Sequence, residues 1–102
     1  MTTKAVAKDE INWEKAGYLL KAIAHPVRLQ VILLLSQQRQ MTVNDLCRET
    51  RCEQSLLSHH LTGMRLKGIL SAAKEGPFVY YALKERNVVK ILDCIRQCDC
   101  IM

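Results

Sequence analysis

The side chains with the most chemistry to offer are five cysteines, three of them in the last nine residues as Cys94-x-x-x-Cys98-x-Cys100. Cys94 and Cys98 are spaced one helical turn apart on a single face, and a frayed helix end would let Cys100 fold back beside them. Three soft thiolates suit a trigonal As(III) site or a thiophilic ion such as Cd(II) or Zn(II). The plainer alternative is small apolar residues of an interface and a tail, a role free cysteine fills well. Cys47 and Cys52 leave a similar choice open, between small core residues and a redox pair or additional ligands. A disulfide between them would need Cα atoms within ~7 Å. The odd count, and the lack of an apolar leader in Met1–Glu10, fit reduced thiols in the cytoplasm better than a disulfide framework.

A second set of residues offers hydrogen bonds rather than thiolates. A helix over Gln54–Lys67 places Leu56, Leu57, His60, Leu61 and Met64 on an inner stripe. It turns Gln54, Ser55, Ser58, His59, Thr62 and Arg65 outward. Such groups contact bases and phosphates, and no carboxylate occurs from Gln54 to Lys74. A solvated helix face ordinarily carries some glutamate. His60 is expected as a packed or hydrogen-bonded core histidine and His59 as an exposed one. Fifteen basic against ten acidic residues leave a net charge of +5, suited to a polyanion without identifying one. The only Cys–His pair to imagine is Cys47 with His59 or His60, and 102 residues leave no second layer for a substrate cleft, so an enzyme is not expected. Trp13, Tyr18, Phe78, Tyr80 and Tyr81 are too scattered for a single-strand stacking platform and are expected in the core and wing.

These groups need a scaffold, and the order of elements supplies one. Trp13, Ala16, Leu19, Leu20 and Ile23 recur at helical period from Asn12 to Ala24. The His25-Pro26 step ends that helix and starts another to Gln37, because proline disfavours helix before it and suits a first turn. The second helix is apolar almost all round and belongs at the centre of a core. Thr42-Val43-Asn44-Asp45 has the form of a capping box for a third helix ending near Thr50, and Gly68 closes the fourth. Ile69–Lys74 and Phe78–Leu83 form one hairpin around Glu75-Gly76-Pro77. A last helix covers Glu85–Cys98. The fold expected is mainly α with a small β-hairpin, α-α-α-α-β-β-α, a single domain over residues 1–102 with its core at about 12–99. Two short helices, a tight turn and a hairpin make a winged helix-turn-helix whose second helix, Gln54–Leu66, reads the major groove.

Residues 54–70, QSLLSHHLTGMRLKGIL, resemble the ArsR/SmtB signature S-x-x-S-x-H-L followed by L-R-x-x-G-L. KAIAHPVRLQVILLL is similar to that family's K-A-L-[AS]-x-P-x-R-x-x-I-L-x-L-L, and EGPFVYYAL to its wing, G-x-x-V-Y-Y-x-L. The resemblance spans about residues 16–99 at constant spacing. It implies a cytoplasmic homodimeric repressor, its first and last helices packed across the two-fold, bound to a pseudo-palindromic operator in double-stranded DNA. No cofactor is needed for that binding and no membrane is involved. Carried over, Gln54, Ser55, Ser58 and His59 form the contact group, with Arg65 and Lys74 on phosphates.

The departures from the pattern are specific. Where the family turn reads L-G-L-S, this chain has Thr50-Arg51-Cys52-Glu53, so arginine replaces a glycine suited to positive φ and glutamate replaces a serine cap. The family's C-x-C-D-L thiolate site is missing at Thr42-Val43-Asn44-Asp45-Leu46, and His25, His59 and His60 all lie away from the last-helix Asp/His site. Cys47 and Cys52 stand where relatives carry Ala and Leu. Some arsenic-responsive members place three cysteines near the last helix, which permits Cys94, Cys98 and Cys100 as an inducer site. A redox switch, a repressor without inducer, and a winged-helix protein-interaction module remain the alternatives.

Overall fold

The structure, a computed structural model, describes residues 10–101. Met1–Asp9, most of the stretch read above as lacking a leader, lie outside the described residues. Five helices of eight or more residues and a three-stranded antiparallel sheet are present among the described residues. Helix α1 is Trp13–Ile23, α2 Pro26–Gln37, α3 Val43–Thr50, α4 Gln54–Leu66 and α5 Val88–Arg96. The strands are β1 Met41–Thr42, β2 Leu70–Glu75 and β3 Phe78–Leu83, in the order β1-β3-β2. A single 3₁₀ turn, Asp99–Ile101, follows α5.

Local chemistry accounts for the breaks. Asn12 caps α1 by accepting from the Lys15 N–H at 3.0 Å. His25 caps α2 through Nδ1, which accepts from the Val27 N–H at 3.1 Å, with Pro26 in the first turn. Thr42 and Asp45 form the reciprocal box at the start of α3, and the resulting hydrogen bonds hold the Asp45 carboxyl below its ordinary pKa. Past α4, Gly68 takes φ +81° and donates to Arg65 O while Ile69 donates to Met64 O, a Schellman closure. Gly76 takes φ +62° at the first of the two residues between Glu75 and Phe78, where a short hairpin needs it.

The core gathers Val31, Ile32 and Leu35 of α2, Leu46 of α3, Leu57, Leu61 and Met64 of α4, and Ile69, Leu70, Tyr81, Leu83 and Val88 around them. Three expectations are corrected. The chain adds a strand before α3, because Met41 and Thr42 pair with Tyr81 and Tyr80; α-α-α-α-β-β-α becomes α-α-β-α-α-β-β-α. Trp13 and Tyr18, expected in the core, are exposed on α1, as is Leu20, whereas Ala22 and Ile23 are buried and Leu19 packs on the core. The last helix is shorter than Glu85–Cys98, and its stripe runs from fully buried Val88 through half-buried Ile91 and Leu92 to exposed Ile95.

Candidate nucleic-acid interface

α3 and α4 form the helix-turn-helix, and three residues make the turn. Arg51 is left-handed at φ +59°, with its N–H donating to Cys47 O at 2.8 Å. The turn therefore keeps the geometry that glycine favours and imposes it on arginine. Thr50 Oγ1 donates to Leu46 O and accepts from the Cys52 N–H, fastening the chain as it leaves α3. Glu53 then caps α4, its Oε1 accepting from the Leu56 N–H at 3.2 Å. Ser55 Oγ donates to the same carboxylate at 2.8 Å. The one acidic group at this end is thus turned back onto the helix N-terminus, where the dipole favours it, and Ser55 has only lone pairs left to offer outward.

On α4 the buried residues are Leu57, His60, Leu61 and Met64, which leaves Gln54, Ser55, His59, Thr62 and Arg65 exposed and Ser58 half-buried. The structure removes Leu56 from the inner stripe, at 50% exposed. At 100° per residue it lies about 90° from the centre of the buried arc, beyond what the core covers at this end of the helix. Lys74 is exposed on β2, opposite Val79. A shallow groove between the wing tip and the starts of α3 and α4 is lined by Thr42, Asn44, Gln54, Pro77 and Phe78, which puts Gln54 beside the wing.

His60 anchors α4 from the inside. Arg28 of α2 donates from Nε to His60 Nδ1 at 2.9 Å and from Nη1 to Ala22 O of α1 at 2.9 Å. The His25 and His60 ring centroids are 4.2 Å apart. His60 Nδ1 is therefore an acceptor and its proton sits on Nε2, which is buried without a partner among the described residues. Burial first, then the charges of His25, Arg28 and His59, push the His60 pKa below its ordinary value, so the ring is neutral at pH 7. Gly63 lies under the same guanidinium: a Cβ there would stand 3.4 Å from Arg28 Nη2. The only sequence signal for Arg28 is its place two residues after Pro26.

The thiols are not gathered. Cys94, Cys98 and Cys100 are all exposed, and Cys98 Sγ lies 3.4 Å from Cys94 O. No group of three His, Cys, Asp or Glu among the described residues is placed to hold a metal ion. Cys47 and Cys52 pack half-buried against the core. Burial pushes the Cys47 thiol up, with Cys52 and Glu53 adding to the shift, so it is protonated and weakly nucleophilic at neutral pH.

Residues 25–72 match the model of a bacterial regulatory protein family, the arsR family. The HTH-type transcriptional regulator YgaV of Escherichia coli is 30% identical over 93% of this chain and 96% of its own. The arsenical resistance operon repressor of the same organism is 34% identical over 79% of this chain and 72% of its own. The structure of HlyU from Vibrio cholerae superposes with a TM-score of 0.76 at 33% identity, covering 89% of this chain and 98% of HlyU.

Proposed function

The chain belongs to the arsR family of bacterial regulatory proteins, DNA-binding transcriptional regulators and not enzymes, and from that premise we propose a dimeric cytoplasmic repressor that occludes a promoter. The observation that carries the reading is the exposed polar set of α4, Gln54, Ser55, His59, Thr62 and Arg65, free of acids and turned outward opposite buried Leu57, His60, Leu61 and Met64. Gln54, Ser55, Ser58, His59 and Thr62 meet the bases, while Arg65 and Lys74 meet phosphates. Two copies of α4, related by a two-fold axis, enter successive major grooves of a pseudo-palindromic operator. The apolar side chains that α1 and α5 leave to solvent, Trp13, Tyr18, Leu20 and Ile95, support a dimer seam on these two helices. No single helix among the described residues is long and apolar enough to cross a membrane.

The inducer is a thiophilic species, As(III), Cd(II) or Zn(II), that draws together Cys94, Cys98 and Cys100 and shifts the dimer seam beside them. Their exposure makes them accessible, and their separation means that ligation must reorganise the end of α5. The coupling is reciprocal, of the order of ~1–3 kcal/mol. The test is binding of the reduced, metal-free protein to its own upstream promoter DNA at several salt concentrations. It is repeated with each ion and with a mild oxidant, for the wild type and a Cys94/Cys98/Cys100→Ser variant. Tight, steeply salt-dependent binding that one ion relieves only in the wild type is the expected result. Binding that nothing relieves leaves a repressor without this inducer site, and no binding overturns the reading.

A further inference from the structure

We propose that Leu56 is a specificity-determining residue that reads the C5-methyl group of a thymine in each operator half-site. The inference rests on the reading of α4 as the groove-facing helix and goes beyond it by assigning a base contact to an apolar side chain. Leu56 is the third residue of α4, in the first turn, where helices of this class meet base edges. It is 50% exposed while its neighbour Leu57 is fully buried. It belongs neither to the core nor to the half-buried residues packed against the core. Its flanking outward residues, Ser55 and His59, are exposed and polar.

The backbone of Leu56 is also fixed in advance. Its N–H is held by the Glu53 carboxylate, both oxygens of which also lie 2.8 Å from Ser55 Oγ. The isobutyl group therefore projects from a capped turn whose backbone needs no ordering on contact. A leucine can neither donate nor accept, so nitrogen and oxygen edge groups gain nothing from it and lose water against it. Among the base-edge groups of the major groove, the thymine methyl is the one that rewards an apolar side chain. Covering that methyl also removes from water a side chain that the free protein leaves half-exposed.

The experiment begins with an operator selected from random duplexes by the wild-type protein. Each thymine is then replaced singly by deoxyuridine, which deletes only the methyl group, and affinities are measured for wild type, Leu56→Ala and Leu56→Met. At one thymine per half-site the wild type is expected to lose about threefold to tenfold in affinity. Leu56→Ala should bind the thymine duplex more weakly by a similar factor and lose nothing further with deoxyuridine. Leu56→Met, which keeps an apolar reach, should recover the dependence. Identical deoxyuridine profiles for wild type and Leu56→Ala, or no sensitive thymine in the wild type, would overturn the inference. Gln54→Ala and Ser58→Ala on the same duplex separate the two levels. If both bind as tightly as wild type, the reading of α4 itself has failed; if both weaken, only the leucine contact is in question.

Discussion

At the scale of single residues, Arg51 holds a backbone conformation that its side-chain type does not favour, and His60 a buried ring whose protonation the fold opposes. A left-handed φ costs a non-glycine residue ~1–2 kcal/mol, partly offset in a glycine variant by the freedom glycine gains in the unfolded chain. Arg51→Gly should therefore raise stability by about 0.5–1 kcal/mol in urea unfolding, because φ +59° suits glycine. His60 supplies a pH dependence of definite sign. Its pKa is lowered in the folded protein from the ordinary 6.5, so the unfolded chain takes up a proton first as pH falls. Its contribution is intact above about pH 6.5 and is lost progressively below that value. Urea midpoints at pH 7.5 and 5.5 should differ accordingly, and a His60→Gln variant should show a smaller difference. An unchanged slope in that variant would assign the acid sensitivity to other groups.

At the scale of elements, α4 has two faces with separable consequences. Leu61 is fully buried, so Leu61→Ala should cost ~2–5 kcal/mol of stability through the cavity it leaves. Gln54→Ala and Ser58→Ala should instead weaken operator binding by ~1–3 kcal/mol each while leaving the unfolding midpoint near that of the wild type. Thermal melts and titrations on the same preparations distinguish the two outcomes. The elements legible in the sequence were those announced by local chemistry: the Thr42–Asp45 box, the His25-Pro26 break, and Gly68 after α4. β1 was not, since two residues carry no period and Met41–Thr42 become a strand only by meeting Tyr80–Tyr81 some forty residues on. Leu56 was misplaced for a related reason. Helical period separates its direction from that of Leu57 by one step, but how far the core extends at that end is decided by distant residues. The outward set of polar groups was legible because side-chain type and period agree there, whereas the bracing of Ser55 by Glu53 depends on rotamers that no pattern encodes.

At the scale of the whole molecule, the chain is too extended to have covered all its apolar surface by itself. Its radius of gyration is 15.7 Å, with extents of 55 × 32 × 21 Å, against about 13 Å for a compact domain of 100 residues. Trp13 at 70% and Leu20 at 50% exposed share one face of α1, and Tyr18 at 56% exposed lies on another. Interface residues look like core residues in a sequence, because both are apolar at helical spacing; this is why Trp13 and Tyr18 are expected in the core. Leu20→Glu should shift the protein toward monomer in sedimentation and weaken operator binding with little change in helix content. A variant that remains as dimeric as the wild type would move the seam away from α1.

The guanidinium of Arg28 holds a carbonyl in the last turn of α1 and the ring at the middle of α4, with Gly63 beneath it. The helix proposed for the seam and the helix proposed for the groove thus hang from one linchpin. Neither can slide past the other without shearing a hydrogen bond, so a displacement of one is resisted at the other. Such a coupling would need no relay of side chains across the protein; its drive shaft is a single arginine.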